Sequence, residues 1–335
     1  MRAVVTGGSG YFGERLVDRL LALGHQVVVL DLNPPDRKVE FVQADVRDAA
    51  AVEAAFRGAE VVFHNVAQVP VVKNPRLFWE VNREGTRNVL EGSLRAGVRR
   101  FVYTSSSAVF GIPAHNPVGA DTPCRPREAY GKAKLAGETL CREYFEKGLD
   151  VGIVRPRTIL GHGRLGIFSV LFDWVSRGSN VPVLGRGDNL YQFVHADDLA
   201  EAVLLAGQDA GWGVFHCGTD RFGTMGELLG ALCRHAGTGS RVRSIPRWFG
   251  QPLLDLAARL PISPIAPYHA LMYGRSMHFD IRPTQRRLEW QPRYSNEEML
   301  LESYDWFLAN RHRPGSSPHK SLLKQGMLAV VRWLL

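Results

Sequence analysis

The stretch VVTGGSGYFG, residues 4–13, joins an apolar strand to an amphipathic helix through three glycines. Glycine at these positions permits a tight turn, lets backbone amides approach a pyrophosphate and lets the helix pack closely on its strand. The helix N-terminus then faces the negative charge. The alternative is an ordinary turn between a strand and a helix. The stretch predicts a dinucleotide site formed by Gly7, Gly10, Tyr11, Phe12 and Gly13.

A carboxylate follows this turn at the position where a dinucleotide would need one. Asp31 ends the next apolar run, QVVVLD, 18 residues beyond Gly13. A carboxylate there accepts hydrogen bonds from the adenosine ribose hydroxyls and repels a 2′-phosphate. NAD is therefore the expected cofactor, and NADP is disfavoured.

Short β-branched runs alternate with helical stretches over the first 155 residues. The runs AVVTG, QVVVLD, EFVQAD, VVFHNVA, RFVYTSS and DVGIVRP are predicted strands, and 11–24, 48–57, 75–97 and 127–147 are predicted helices. This alternation is typical of an α/β fold with a doubly wound parallel sheet. We expect a dinucleotide-binding domain over 1–155, to which segments around 190–215 return. A smaller substrate-binding region over 156–310 and a tail helix over 311–335 would follow.

Composition excludes several other classes of protein. The chain has 335 residues, of which 45% are apolar, and a formal net charge of +8. The basic residues are scattered without aromatic interleaving, so a nucleic-acid partner is not expected. The four cysteines show no CxxC spacing, which predicts neither a metal site nor disulfides. No signal peptide and no apolar run of about 20 residues is visible, so a cytoplasmic protein is expected.

Further motifs follow in a fixed order: ADVRD, HNVAQV, VNREGTRNVLEG, VYTSSSAVFG, YGKAK, VRPRTILGHG and FVHADDLAEA. Together with the TGxxGxxG glycines, they resemble the extended short-chain dehydrogenases/reductases over roughly residues 2–310. The resemblance implies a Rossmann-type sheet and an NAD-dependent enzyme. It also implies further cofactor contacts at Asp45, Val46, Val66, Ala67, Gln68, Asn82 and Pro156.

Tyr130 and Lys134 form the YxxxK pair of this family and lie one helical turn apart. Removing a proton from an alcohol requires a base, and a free phenol with a pKa near ~10 is too weakly ionised at neutral pH. A nearby ammonium favours the phenolate, and Lys134 would also bind the nicotinamide ribose. The family places its catalytic hydroxyl five residues before a glycine, which selects Ser106 before Gly111, with Ser107 in reserve. The resemblance assigns His195 and Asp198 structural roles.

The substrate is expected to be lipophilic. Nucleotide-sugar members of the family carry an Asn where this chain has RPRTILG, and an Arg where it has Tyr191. These departures favour the 3β-hydroxysteroid dehydrogenase-like branch, acting on a sterol-like alcohol or ketone, with decarboxylation if the product is a 3-oxo acid. The apolar segment 244–273 is expected to line a pocket or to pack in the core. The alternatives are a nucleotide-sugar 4-epimerase or dehydratase with tightly bound NAD, and a membrane-docked NAD-binding scaffold without catalysis.

Two features bear on partners. The segment 318–335 places Lys320, Lys324 and Arg332 among leucines and a tryptophan. It is expected to lie on an anionic membrane surface, or to dock on the protein or on a sister subunit. The resemblance also implies a homodimer formed by the helices at 75–97 and 127–147. Glu289 stands where the family commonly has glycine, so the geometry of that turn stays open.

Overall fold

A computed structural model describes residues 1–69, 74–165, 167–259 and 267–311. The strands are β1 Arg2–Thr6, β2 Gln26–Asp31, β3 Glu40–Gln43, β4 Val61–His64, β5 Arg100–Thr104, β6 Val151–Pro156, β7 Thr158–Leu160, β8 Val181–Leu184, β9 Phe193–His195, β10 Gly213–Cys217 and β11 Val242–Ile245. The α-helices are α1 Tyr11–Ala22, α2 Ala49–Ala55, α3 Pro75–Trp79, α4 Thr86–Arg95, α5 Ala129–Glu146, α6 Phe168–Ser176, α7 Ala196–Gln208, α8 Met225–Ala236, α9 Arg247–Arg259, α10 Pro267–Met272, α11 Arg282–Leu288 and α12 Asn296–Asn310.

Seven parallel strands form the central sheet, in the order β3-β2-β1-β4-β5-β6-β10. Each of the six apolar runs expected to form strands contributes one, and β10 adds the seventh. The central strands are buried on both faces, which is why their sequences are nearly continuous apolar runs. The doubly wound parallel sheet is confirmed. The domain limits at 155 and 310 stay a prediction.

Helices cover both faces of the sheet. On one face, α1 and α7 bury Leu16, Leu20 and Val203, and on the other α4 and α5 bury Leu90 and Leu140. A third apolar cluster joins α6, α8 and α12 and forms the core of the smaller region. Burying one such side chain contributes about 1.5–3 kcal/mol.

The helix expected over 75–97 is interrupted. Helix α3 is followed by a π-helical segment, Glu80–Gly85, and then by α4. Within that segment Asn82 is fully buried, and Thr86 Oγ1 donates to its carbonyl at 2.9 Å. Segments of π-helix often accompany functional sites because the extra residue redirects a side chain.

The turn at Glu289 keeps its geometry although the family commonly has glycine at this position. Glu289 adopts the left-handed conformation, with φ 50° and ψ 33°, at the C-cap of α11. The chain therefore makes the turn that glycine favours, at some conformational cost. The turn inserts Trp290, whose indole Nε1 donates to the Asp198 carbonyl at 2.8 Å.

No helix in the described ranges is long and apolar enough to cross a membrane. The tail helix expected over 311–335 lies outside the described residues beyond Arg311, as does the membrane contact expected for 318–335.

Candidate functional site

The glycine loop after β1 is shaped by close backbone contacts. Gly7 has φ +73°, and a Cβ on Gly13 would lie 2.0 Å from the Gly7 carbonyl oxygen. Gly10 caps α1 without any side-chain hydrogen bond, so the helix N-terminus presents backbone amides. The Tyr11 hydroxyl donates to the Gly161 carbonyl and Phe12 is buried in the core. Those two residues therefore offer their backbone to a pyrophosphate, and the loop is a cradle that fits one.

Asp31 lies beside this loop at the end of β2. One carboxylate oxygen accepts from the Ser9 backbone N–H and the other from that of Asn33, both at 3.1 Å. The side chain is half-buried. A carboxylate fixed in this way fits the ribose of an adenine dinucleotide, and its negative charge repels a 2′-phosphate.

The loop after β3 holds the two residues expected beside the adenine. Asp45 bonds to the guanidinium of Arg47 at 2.7 Å, which holds the pKa of the Asp45 carboxyl below its usual range. Val46 is buried, and a Cβ on Gly85 would come within 2.7 Å of its side chain. This part of the loop is therefore braced against the π-helical segment.

Asn82 fixes the loop after β4. Its side-chain oxygen accepts from the Gln68 N–H at 2.7 Å, and its side-chain nitrogen donates to the Gln68 carbonyl at 3.0 Å. Val66, Ala67 and Gln68 are half-buried. The structure thus places Asn82 against the loop after β4, which the family resemblance also assigned to the cofactor site. The two hydrogen bonds that join them cannot be read from the spacing of the sequence.

Helix α5 carries Tyr130 and Lys134 on its buried face. The Glu128 carboxylate caps the helix by accepting from the Tyr130 and Gly131 backbone N–H groups at 2.7 and 2.6 Å. Lys134 is 1% exposed, and its Nζ donates to the Thr104 carbonyl at 2.7 Å. Burial lowers the pKa of Lys134 to about 7.

The surroundings of Tyr130 are apolar. It packs with Phe78, Ala108 and Ala133, and the Phe78 ring meets it edge-on at a centroid separation of 6.1 Å. A reacting group beside Tyr130 would therefore be shielded from water on this side.

The three serines after β5 have different partners. Ser105 donates to the Glu138 carboxylate at 2.5 Å, and Ser107 accepts from the guanidinium of Arg157 at 2.8 Å. Ser106 is half-buried, and its oxygen accepts from the Ala108 N–H at 3.2 Å. Among the residues that the structure describes, the Ser106 hydroxyl hydrogen has no acceptor. Because Ser107 is only 2% exposed and Ser106 is half-buried, this geometry favours Ser106 over Ser107 as the donor to a substrate oxygen.

All these loops meet at one edge of the sheet because its strands are parallel and end on the same side. Pro156 ends β6 at that edge, paired in register with Cys217 of β10. Behind it, Arg155 binds the Glu138 carboxylate through two hydrogen bonds of 2.9 and 2.6 Å. The pair is buried, and through Ser105 it supports the turn that carries Ser106.

Two arginines beside the site have no carboxylate partner within the described ranges. Arg157 is 1% exposed, and two of its guanidinium nitrogens have no hydrogen-bond partner there. The guanidinium of Arg164 lies 5.1 Å over the Tyr11 ring and interacts electrostatically with the Tyr130 hydroxyl. Sequence reasoning missed both residues, because an unpaired cation is recognised only from its surroundings.

Two histidines and two carboxylates form a further group at the start of α7. His162 pairs with Asp197 at 2.8 Å, and His195 pairs with Glu302 at 3.0 Å. His195 also caps α7 by accepting from the Asp197 N–H. The ligand atoms of His162, His195 and Asp197 lie within 4.8 Å of one another, where the sequence predicts no metal. With these rings already hydrogen-bonded, the group joins α7 to α12.

Asp198 supports the neighbouring turn, as the resemblance implied. It is 1% exposed and accepts from the Arg293 N–H and Nε, both at 2.9 Å.

Comparisons with known proteins place the chain in a family. The family described as "NAD dependent epimerase/dehydratase family" matches residues 3–218. The Sinorhizobium fredii protein y4nG is 51% identical over 99% of this chain and 86% of its own length. The UDP-glucose 4-epimerase of Mycolicibacterium smegmatis is 31% identical, covering 92% of this chain and 98% of its own.

A 3beta-hydroxysteroid-dehydrogenase/decarboxylase of Arabidopsis thaliana is 27% identical, over 98% of this chain and 85% of its own. Among solved structures, the UDP-glucose 4-epimerase of Thermus thermophilus in complex with NAD aligns with a TM-score of 0.73 at 28% identity. The alignment covers 92% of this chain and 99% of that one. NAD is therefore the cofactor that the fold, the glycine loop and the relatives share.

Proposed function

Because the chain belongs to the NAD-dependent epimerase/dehydratase family and is an NAD-dependent enzyme of the oxidoreductase type, we propose that it interconverts a secondary alcohol and a ketone on a lipophilic substrate with a carboxylate near the reacting carbon. Bound NAD supplies the hydride acceptor for the alcohol and, when reduced, the donor for the ketone. The observation that carries the proposal is the guanidinium of Arg164, which lies 5.1 Å over the Tyr11 ring, interacts electrostatically with Tyr130 and has no carboxylate partner among the described residues.

Tyr130 is the proposed acid/base. As the phenolate it takes the hydroxyl proton of the alcohol, and as the phenol it returns that proton to the ketone. The Lys134 ammonium favours the phenolate and is held in position by the Thr104 carbonyl. Ser106 donates to the substrate oxygen and fixes its orientation.

Arg164 is the proposed anchor for the carboxylate. A partly buried guanidinium without an anionic partner destabilises a protein, and an anionic ligand supplies that partner. Guanidinium and carboxylate match in two parallel hydrogen bonds, which also sets the orientation of the substrate. His269 of α10 interacts electrostatically with Arg164, and burial lowers the pKa of His269 to about 4. His269 is therefore neutral at pH 7 and adds no positive charge there.

A lipophilic body suits the rest of the neighbourhood. Phe78, Ala108 and Ala133 surround Tyr130 with apolar surface. Tyr191, which replaces the arginine of nucleotide-sugar members, lies on the guanidinium of Arg157 at 4.7 Å. At this position a second pyrophosphate would meet the Tyr191 ring and not the positive charge that an arginine provides.

Decarboxylation would follow oxidation if the carboxylate is β to the new ketone. The carbon–carbon bond to the carboxylate breaks, carbon dioxide leaves and the electron pair passes to the ketone oxygen as an enolate. Ser106 and the Tyr130 hydroxyl would stabilise that oxygen, and a proton on carbon completes the ketone.

A second candidate is a nucleotide-sugar 4-epimerase or dehydratase with retained NAD. It is favoured by a cleft of about 430 Å³ that Arg247, Arg275 and Asn189 line, and the relatives named above include epimerases. Two arginines in an open cleft could hold a diphosphate. Family membership sets aside the third candidate, a scaffold without catalysis.

Substrate-dependent NADH absorbance tests the proposal. We expect net NADH from a 3β-hydroxysteroid 4-carboxylate, and a KM lower by about tenfold or more than for the same steroid alcohol without the carboxylate. The Arg164→Met variant should raise KM for the carboxylated substrate by a similar factor. It should leave KM for the steroid alcohol without the carboxylate nearly unchanged. Arg186→Met, at an 89% exposed arginine, is the control.

The competing outcome is equally clear. If UDP-glucose is converted to its 4-epimer without net NADH and neither steroid reacts, the nucleotide-sugar function is correct and the proposal fails.

A further inference from the structure

Helix α9 turns large apolar side chains toward solvent. Trp248 is 80% exposed, Phe249 and Leu253 are each 51% exposed and Leu256 is 57% exposed. These residues belong to the segment 244–273, for which the sequence predicts that it lines a pocket or packs in the core. For these four side chains the structure contradicts that interpretation, since the helix presents them outward.

The spacing makes the exposed residues one continuous face. At about 100° per residue, positions 248, 249, 252, 253 and 256 fall within less than half of the helix circumference. The opposite side carries Gly250, Leu254 and Ala258, of which Gly250 and Ala258 are buried and Leu254 is half-buried. A Cβ on Gly250 would lie 2.3 Å from the Leu184 side chain, so this inner side is already packed tightly on β8. The helix therefore cannot turn its large apolar residues inward.

Basic residues predominate in and just before this helix. Arg259 at the end of α9 is exposed, as are Arg241 and Arg243 in the segment that precedes it, and Asp255 is the sole acidic residue in the helix sequence. We propose that the outward face of α9, Trp248, Phe249, Leu253 and Leu256, docks on the surface of an anionic lipid bilayer.

The chemistry of the face favours this partner. Indole and phenyl rings are enriched at the boundary between headgroups and acyl chains, and arginines there pair with anionic headgroups. A 13-residue helix is about 20 Å long and lies in the plane of the interface without crossing it.

Charge argues against the other occupants. The segment 312–335 carries Lys320, Lys324 and Arg332 and no acidic side chain, so it has the same sign of charge as the arginines in and just before α9. A second copy of the chain would bring the same arginines to the interface. An anionic bilayer is complementary to both α9 and that segment, and two basic apolar elements bind a membrane more firmly than one.

The position of α9 connects this surface with the substrate site. Helix α10 packs on α9 and carries His269, which interacts electrostatically with Arg164. Through α10, a bilayer bound by α9 would therefore be connected with Arg164, the proposed anchor of the substrate carboxylate. The docking surface does not depend on that substrate, because its argument rests on α9 alone.

Vesicle flotation with the full-length protein tests the proposal. The probe is vesicles of phosphatidylcholine and phosphatidylglycerol in roughly equal parts. The Trp248→Ser/Phe249→Ser variant should reduce partitioning about tenfold or more, because it removes both aromatic anchors. The control is Leu23→Ser/Leu308→Ser, at leucines that are 44% and 40% exposed on other surfaces. It should change partitioning by less than about twofold.

A second variant tests charge without altering the apolar face. Arg243→Glu/Arg259→Glu should weaken binding to the anionic vesicles about tenfold, while wild type should bind pure phosphatidylcholine poorly. Unchanged binding by both double variants, with normal melting curves, overturns the proposal. It is also overturned if the aromatic variant converts a dimer to a monomer, measured by light scattering, while vesicle binding persists.

Discussion

Lys134 donates a hydrogen bond of 2.7 Å to the backbone carbonyl of Thr104 and thereby joins helix α5 to the end of strand β5. The bond holds an ammonium, buried beneath the Tyr103 ring at 4.5 Å, at the sheet edge where the cofactor loops meet. Contacts within the protein therefore position the lysine.

The Tyr130→Phe variant should lose turnover by roughly 10³-fold, because proton transfer by a positioned side chain contributes about 10²–10⁴-fold. Its NAD affinity, measured by titration, should stay within about twofold of wild type. Tyr144→Phe, at a buried tyrosine of the same helix that donates to Glu91, is the control and should keep its turnover. Full activity in Tyr130→Phe would remove the phenol from the proposed chemistry.

Lys134 should make stability depend on pH in a defined direction. Burial lowers its pKa from 10.5 to about 7. Between these values the unfolded chain binds more protons than the folded one, so the free energy of unfolding rises with pH. From pH 7 to 9 the contribution is about 2 kcal/mol. The Lys134→Met variant should lack this rise in chemical denaturation, and a parallel slope in both proteins would contradict the assignment.

The buried pair Glu138–Arg155 should be essential for stability. Glu138→Gln leaves the Arg155 charge buried without its partner and should reduce the free energy of unfolding by about 3 kcal/mol. The matched control is Glu146→Gln, which breaks the exposed pair with Arg142 on the same helix and should have little effect. The double variant Glu138→Met/Arg155→Met should recover much of the loss, and additive losses would argue against coupling.

Asp31 should set the choice of cofactor. Asp31→Asn keeps an oxygen that can accept from the Ser9 N–H but loses the negative charge. NAD affinity should fall about tenfold, and the preference for NAD over NADP should narrow by a similar factor. Asp36→Asn, an exposed acid in the following loop, is the control. Fluorescence titration with both nucleotides measures the change, and an unaltered preference would count against the role of Asp31.

Gly13 should not tolerate even one added carbon. A Cβ there would lie 2.0 Å from the Gly7 carbonyl oxygen, so Gly13→Ala must displace the loop. We expect a loss of at least about 2 kcal/mol in stability and weak NAD binding. Gly119→Ala has open space around its Cβ and should be neutral in a thermal melt. Equal melting temperatures for the two variants would refute the close packing.

The sequence predicted the elements that build the site. Each apolar run quoted from the first 155 residues contains a strand. The central strands are apolar almost throughout because both of their faces are buried, whereas the edge strand β3 is partly exposed and keeps Glu40 and Gln43. The helix expected over 127–147 is present as α5. The single helix expected over 75–97 is divided by a π-helical segment that the periodicity of the sequence does not predict. Within this segment Asn82 bonds to Gln68, a residue outside the helix.

What the sequence determined by itself was the dinucleotide fold, its cofactor and the pair Tyr130 and Lys134, because these depend on local spacing and on motifs in a fixed order. Only the tertiary structure decided which serine after β5 is half-buried rather than buried, that Arg164 has no carboxylate partner among the described residues, and that α9 turns its large apolar residues outward. Hydrogen-bond partners and exposure are set by residues that are distant in the chain. The local composition of a segment therefore does not determine which of its surfaces are covered in the folded protein.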